Sequence, residues 1–311
     1  MATAAGPPKA PQVRHSIWIK EVRAPFLLLP VVFVPVSLAM SWDAGFFNPT
    51  TALLTFVAAV SLHASVNVLN DYFDFRSGID LATTPTPFSG GSRVLPAQEL
   101  TPVAVLYGGV AFLGAGAAIG VYFLVTSAFS PILAAILAVV VVSVVGYCTV
   151  ISRWGLGELA AGLNFGPLLF IGTYYIQTGR LVAEPIIVGT TLGILVAGIL
   201  YINEFPDTVA DERSGRRHLV IRWGKRKAAY RFRVLIAGSY AVLILGVVAG
   251  IVTPLALISL VALPKAWSGT GVLVKNYDKT MELIPGMAST VMATLMTGAL
   301  LLVAYLLLHF V

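Results

Sequence analysis

Long apolar segments alternate with short polar ones along the chain, and nine of the apolar segments approach the length that spans a bilayer. A membrane-spanning helix needs about 20 mostly apolar residues. The eighth segment is the shortest, because Pro254 and Pro264 bound it, so it must extend at one end. The pattern predicts nine transmembrane helices, approximately at 24–41, 51–70, 103–125, 129–150, 159–177, 185–203, 233–251, 254–264 with its extension, and 288–310.

The composition agrees with this pattern. Of the 311 residues, 58% are hydrophobic and 11% are charged, against about 25% charged in soluble domains. These values exclude a disordered chain, a coiled coil and an ordinary cytosolic enzyme. The single cysteine excludes an internal disulfide framework and a multi-thiolate zinc site. We expect residues 1–16 to be a flexible polar tail, without the apolar core of a signal peptide, and 17–311 to be one transmembrane domain.

Charged residues are distributed unequally between the two sides of this predicted bundle. Arg180 is the only one of the 20 basic residues that falls on the second side, and Asp43 and Glu184 are the only acidic ones there among 14. Basic loops are typical of the cytoplasmic side of a membrane. The sequence therefore predicts an all-α integral membrane protein with its N-terminus in the cytoplasm and its C-terminus outside. The net charge of +6 follows from this topology and gives no reason to expect a nucleic-acid partner.

An acidic cluster follows the second predicted span. If the helix continues into it, four polar side chains share one face at spacings i, i+3, i+4 and i+7: Asn67, Asn70, Asp71 and Asp74. Gly78 can end that helix, which would let Asp80 fold back towards the same point. Like charges this close repel one another unless a cation binds them. The alternative is a solvated helix end that happens to be acidic.

A similar cluster follows the sixth span. Asn203, Asp207 and Asp211 are spaced i, i+4 and i+8, and Arg216 with Arg217 follows closely. The intervening Pro206 must kink the helix or restart it. If it restarts the helix, Asp207 lies in a first turn, where anions are favoured. A solvated charged loop is again the alternative.

Both clusters lie at the same predicted face, and their donors are oxygen atoms. Carboxylate and amide oxygens without a Cys or His cluster indicate Mg²⁺ rather than zinc. Two facing carboxylate clusters that hold Mg²⁺ would form a clamp for a pyrophosphate group. A pyrophosphate at a membrane surface, attached to a group that enters the bilayer, indicates a polyprenyl diphosphate as substrate.

On these motifs the chain resembles the UbiA superfamily of membrane prenyltransferases over nearly its whole length. The spacing Asn70-x3-Asp74-x5-Asp80 is similar to that of the branch that prenylates 1,4-dihydroxy-2-naphthoate in menaquinone synthesis. Further segments support the same branch: Gly155-Leu-Gly157-Glu158, Asn164-Phe-Gly166-Pro167, Gly172 to Gly179, and Gly215 to Gly224. Near the C-terminus, Leu283-Ile284-Pro285 resembles the family as a whole.

The resemblance implies Mg²⁺-dependent transfer of a polyprenyl group to an aromatic acceptor, at an active site that faces the cytoplasm from the cell membrane. It implies catalytic carboxylates at Asp74, Asp80, Asp207 and Asp211. The implied metal ligands are Asn70, Asp71, Asp74, Asp80, Asp207 and Asp211. The implied substrate-binding residues are Asn70, Arg23, Arg76, Arg93, Tyr147, Arg153, Asn203, Arg216 and Arg217. For the arginines, a topology signal or binding of membrane lipid headgroups is the competing interpretation.

Two loops depart from the naphthoate pattern and leave the acceptor open. The segment from Pro85 to Arg93 differs from the usual loop, and the stretch from Tyr147 to Arg153 lacks the proline found in relatives. The alternative acceptors are a geranylgeranylglyceryl phosphate lipid, 4-hydroxybenzoate and other phenolic rings. A cation transporter is the alternative outside this class, although it would place acidic groups nearer the midplane of the membrane.

Overall fold

The computed structural model describes residues 14–308, and these form helices joined by short loops, without a strand among them. The α-helices are α1 Arg14–Glu21, α2 Leu28–Asp43, α3 Pro49–Ser77, α4 Ile79–Ala82, α5 Pro102–Thr126, α6 Pro131–Gly146, α7 Gly157–Leu163, α8 Leu169–Thr178, α9 Ala183–Arg213, α10 Leu219–Trp223, α11 Lys225–Val248, α12 Leu263–Asn276 and α13 Ile284–Leu308. Two π-helical segments, Tyr147–Ile151 and Asn164–Leu168, follow α6 and α7. Three 3₁₀ segments, Ala24–Leu27, Pro254–Ala262 and Thr280–Leu283, precede α2, α12 and α13.

Eight helical segments of the described chain are long and apolar enough to cross a membrane, which makes this a multi-pass membrane protein. The ninth apolar segment, α6, has only 16 residues before it passes into π-helix. The all-α membrane architecture is therefore confirmed, while the count of nine spans stays a prediction.

The structure places inside helices two prolines that lie at or near the ends of predicted spans. Helix α9 continues through Pro206, so Asp207 lies in mid-helix, and of the two alternatives for this proline the restarted helix with Asp207 in its first turn is excluded. Pro264 lies in the first turn of α12 rather than at the end of a segment, because proline is tolerated there. The apolar segment that begins at Pro254 consequently extends to Asn276.

The N-terminal boundary also differs. Helix α1 begins at Arg14, so the last residues of the segment predicted as a tail are helical. The first thirteen residues lie outside the described part of the chain. Within α1, Ile17 and Glu21 are buried one turn apart, which fixes this short helix against the bundle.

Helix α9 forms the centre of the bundle, with 67% of its most apolar window buried. It packs against α7, α11 and α13. The contact with the π-helical segment after α7 depends on glycine, because a Cβ at Gly166 would lie 2.6 Å from the carbonyl oxygen of Gly189. Small residues allow helix backbones to approach closely in membranes. This close packing places the polar end of α9 opposite the polar end of α3.

The two ends of the bundle have different chemistry. At one end, the backbone nitrogen of Asn48 donates to the Gln177 side-chain oxygen at 2.7 Å. At the same end, Arg180 lies over the Phe46 ring, and the Tyr305 hydroxyl donates to Glu184 at 2.7 Å. At the other end, which we call the motif end, the C-terminal turns of α3 and α9 bring both aspartate clusters together. The orientation of the motif end relative to the membrane stays a prediction.

Candidate active site

The first aspartate cluster lies on the last turns of α3. The Asn70 amide donates to the Asp74 carboxylate at 2.9 Å, four residues later on the same face. Gly78 ends the helix, and its φ of 80° is a left-handed conformation that favours glycine. The chain then turns into α4, where the Asp80 side chain is buried at 3% exposure. Helix periodicity and one glycine thus bring Asp74 and Asp80 to the same region.

The second cluster lies on the last three turns of α9. Because α9 is continuous, Asn203, Asp207 and Asp211 occupy one face, and all three line the same cavity as Asp74 and Asp80. The structure therefore brings the two sequence motifs together across the bundle.

Arg216 connects the two clusters directly. Its guanidinium donates to Asp211 at 3.1 Å and also to Asp74. Both carboxylates are buried, and a charge-assisted bond to arginine compensates part of their desolvation. The Arg216 guanidinium thus lies between a carboxylate of α3 and a carboxylate of α9.

Asp71 faces away from this pair, towards the loop of residues 85–93. It accepts a bond from the backbone nitrogen of Ser92 at 2.7 Å, and the Ser92 hydroxyl bonds Glu21 at 2.8 Å. Gly91 has a φ of 73°, and a Cβ there would lie 3.0 Å from an Asp80 oxygen and 3.4 Å from an Asp71 oxygen. The loop therefore folds tightly over the first cluster.

Burial and repulsion between neighbouring carboxylates raise the pKa values of two acidic groups next to this loop. Desolvation, reinforced by the charges of Asp71 and Asp74, raises the pKa of Asp80 to about 8. Desolvation and the neighbouring Asp71 raise the pKa of Glu21 to about 7. In the absence of a bound cation, the site therefore retains protons near neutral pH.

An elongated cavity of about 390 Å³ begins at the two clusters and continues between α3, α5, α6, α8 and α9. Its polar end contains the carboxylates of Asp74, Asp80, Asp207 and Asp211, while most of its remaining lining is apolar, including Phe123, Ile136 and Val140. The buried ring of His63 lies in T-shaped contact with Phe165, with ring centroids 4.5 Å apart, and both line the cavity between its polar and apolar parts.

The predicted site residues divide into groups by position. Nine of them line the large cavity: Arg23, Asn70, Asp74, Asp80, Tyr147, Asn203, Asp207, Asp211 and Arg216. Arg76 and Arg153 line a separate small cavity instead. Arg93 donates to the backbone carbonyl of Asp80, and Arg217 is exposed. Lys20, a further basic side chain at this end, pairs with Glu99 at 2.9 Å.

Three further titratable residues meet at the motif end without having been predicted. Glu158, Glu204 and His218 place ligand atoms within 4.8 Å of one another. His218 lies 3.2 Å from Glu204 and 3.4 Å from Asp211. Glu158 also accepts a bond from the backbone nitrogen of Leu219 at 2.9 Å. All three occur inside the quoted sequence motifs or next to them, but their long separation in sequence gave no sign that they meet.

The oxygen donors of the two clusters fit a divalent cation. Among the described residues, Asp71 Oδ1, Asn203 Oδ1 and Asp207 Oδ1 are buried without a hydrogen-bond partner. Buried carboxylate and amide oxygens without partners are unfavourable unless a ligand binds them. Hard oxygen donors match Mg²⁺ better than a soft transition metal.

Comparison with known proteins agrees with this geometry. The model of the UbiA prenyltransferase family matches residues 27–283. The chain is 31% identical to 1,4-dihydroxy-2-naphthoate octaprenyltransferase of Escherichia coli over 242 residues, which cover 75% of this chain and 76% of that protein. It is 32% identical to the enzyme of the same name from Mycobacterium tuberculosis over 258 residues, covering 80% and 84% of the two chains.

The fold is also found in solved structures. A UbiA homolog from Archaeoglobus fulgidus, bound to GPP and Mg²⁺, superimposes with a TM-score of 0.62 at 14% identity and covers 95% of this chain and 100% of that one. At this identity the likeness concerns the fold alone. The extent of the family match and the two enzyme relatives confirm the resemblance found from the motifs. The chain therefore belongs to the UbiA prenyltransferase family and is a membrane-embedded prenyltransferase.

Proposed function

We propose that the protein transfers a polyprenyl group from a polyprenyl diphosphate to 1,4-dihydroxy-2-naphthoate, in a reaction that depends on Mg²⁺. The observation that carries the proposal is the continuity of one cavity, which has carboxylates from two motifs at one end and apolar side chains along the rest. A diphosphate ester of an isoprenoid has the same division between a charged head and an apolar tail. The names of the enzyme relatives favour the naphthoate acceptor.

The four carboxylates Asp74, Asp80, Asp207 and Asp211 would hold the metal, with Asn70 as a further oxygen donor. Asp71 is a less direct candidate, because one of its oxygens already accepts from Ser92. Bound Mg²⁺ would supply positive charge that stabilises the leaving pyrophosphate. The motif end would face the cytoplasm, where the basic side of the chain is expected.

The arginines at the polar end have two roles in this proposal. Arg216 holds Asp74 and Asp211 in one cluster and directs its positive charge into the cavity. Arg23 lines the cavity opposite, where its guanidinium donates to the Phe88 carbonyl at 3.3 Å and lies 4.8 Å from the centre of the Phe26 ring. Both cations are positioned to attract a diphosphate and to stabilise the charge that develops on it.

The apolar part of the cavity holds the isoprenoid chain and excludes water. An allylic cation reacts with water unless it is shielded, and aromatic faces stabilise a cation. Phe165 and Tyr147 line the cavity near its polar end, and both are assigned this shielding role. The acceptor ring binds beside them, within reach of the allylic carbon.

The experiment is a panel of acceptors tested with purified protein in lipid and a labelled prenyl diphosphate. The acceptors are 1,4-dihydroxy-2-naphthoate, 4-hydroxybenzoate and geranylgeranylglyceryl phosphate. We expect labelled product with dihydroxynaphthoate at a rate at least tenfold above the other two. Product with another acceptor and none with dihydroxynaphthoate would retain the reaction class and overturn the acceptor.

A further inference from the structure

A second cavity, of about 260 Å³, lies at the motif end beside the large one. Its polar lining consists of Asp74, Arg76, Arg153 and Arg216 with the hydroxyl-bearing Ser77, Thr149 and Ser214. Its volume equals that of roughly nine waters in the liquid, at about 30 Å³ each. The space is sufficient for a small polyanion with part of its hydration.

The charges around this small cavity are unbalanced. Three arginines face one carboxylate, Asp74, and that carboxylate is already paired with Arg216. The Arg76 guanidinium donates to the Tyr72 hydroxyl at 3.2 Å, which is a neutral partner. Arg153 forms no ion pair or hydrogen bond with any residue in 14–308. Two guanidinium groups are therefore available for an anion.

The two cavities share one wall, which contains Asp74, Ile79 and Arg216. The Arg216 guanidinium, held between Asp74 and Asp211, lies in this wall. An ion that replaces Arg216 at either carboxylate would therefore lie next to both cavities. Among the described residues, Arg216 is the only arginine that lines both cavities.

We propose that the small cavity is a binding site for the inorganic pyrophosphate formed in the reaction, through which this product leaves the enzyme. The proposal rests on the proposed function, because prenyl transfer generates pyrophosphate when the carbon–oxygen bond of the substrate breaks. Before that step the apolar tail holds the diphosphate group at the end of the large cavity. Afterwards the pyrophosphate has no tail, and Arg76 and Arg153 attract it away from the prenylated product.

The test is product inhibition by added pyrophosphate, measured against the concentration of prenyl diphosphate. Pyrophosphate in the large cavity competes with the substrate, whereas pyrophosphate in the small cavity inhibits even when the substrate is saturating. We expect mixed inhibition of the wild type. Arg153→Gln should raise the noncompetitive inhibition constant of pyrophosphate about tenfold, which corresponds to about 1.4 kcal/mol. The same substitution should raise the KM of prenyl diphosphate by no more than about twofold.

Two matched variants control this result. Arg226→Gln removes an exposed arginine from the start of α11 that lines neither cavity, and it should change neither constant. Arg153→Lys retains the charge and should restore most of the noncompetitive inhibition. Purely competitive inhibition of the wild type, or an equal rise of both constants in Arg153→Gln, would overturn the proposal.

Equilibrium binding separates this proposal from the reaction itself. Labelled pyrophosphate should bind the purified wild type when a non-ionisable prenyl diphosphate analogue fills the large cavity, and it should bind Arg153→Gln about tenfold more weakly. Equal binding by both proteins would contradict the small site, whether or not any acceptor is prenylated. Failure of every acceptor in the panel would contradict the proposed function alone.

Discussion

The carboxylate of Asp74 and the guanidinium of Arg216 form an ion pair across 142 positions of the sequence. The same guanidinium bonds Asp211 at 3.1 Å, so one side chain joins the end of α3 to the end of α9. Without a bound cation, Arg216 compensates the charge of the two carboxylates. A metal and a diphosphate that bind there must therefore change the partners of Arg216.

The first prediction concerns this competition. Arg216→Gln removes the positive charge beside Asp74 and Asp211. We expect the affinity of this variant for Mg²⁺ alone to rise by about tenfold, because the guanidinium no longer competes with Mg²⁺ for the two carboxylates. Its affinity for prenyl diphosphate should fall, since a charge partner of the phosphate is lost. Isothermal titration of the purified variant with each ligand measures both constants. A parallel fall of both affinities would show that Arg216 only maintains the local fold.

The second prediction concerns the carboxylates themselves. Asp74→Asn and Asp207→Asn should each lower the prenyl transfer rate by about 10²-fold or more, a loss typical of removing one stabilising group of an active site. The matched control is Asp43→Asn, which changes an exposed aspartate at the opposite end of the bundle. Circular dichroism should show the same helix content in all three variants. Activity within threefold of the wild type in either site variant would contradict the assigned role.

The third prediction concerns pH. Because the pKa of Asp80 is raised to about 8 in the protein without metal, this group holds a proton at pH 7 and must lose it to act as a metal ligand. Mg²⁺ binding at pH 7 should therefore release a proton, and the affinity should rise with pH until the pH exceeds about 8. Titration in two buffers of different ionisation enthalpy measures the release. Equal heats in both buffers would contradict it, and Asp80→Asn should abolish the difference.

The fourth prediction concerns the apolar part of the cavity. Ile136→Trp fills space between α6 and α8, since Ile136 lines the cavity beside Gly172. We expect a shift towards shorter prenyl diphosphates, with the ratio of kcat/KM for geranyl over octaprenyl diphosphate raised about tenfold. Val139→Trp on the exposed face of the same helix is the control. An unchanged ratio in Ile136→Trp would place the isoprenoid chain elsewhere.

Much of the site could be predicted from local sequence patterns. Helix periodicity placed Asn70 and Asp74 on one face, and Gly78 ended α3 as expected. The i, i+4, i+8 spacing did the same for Asn203, Asp207 and Asp211 once α9 proved continuous. These features depend on contacts within one helix, which the sequence encodes directly.

The contacts that the sequence did not predict all join distant segments. The separation of Asp71 from the cavity depends on Ser92 and on the way the loop of residues 85–93 folds over α3. The meeting of Glu158, Glu204 and His218 depends on the packing of α7 against α9. The placement of Arg76 and Arg153 around a second cavity likewise depends on how three helix ends meet. Spacing along the chain carries no information on such tertiary arrangements.

The most direct test of the account is a parallel measurement of pyrophosphate and prenylated dihydroxynaphthoate, using purified protein in sealed liposomes with Mg²⁺. We predict that the two products form in a one-to-one ratio, that a chelator abolishes both, and that no cation flux accompanies the reaction. Metal-dependent ion flux without formation of either product would contradict the account and would favour a transporter.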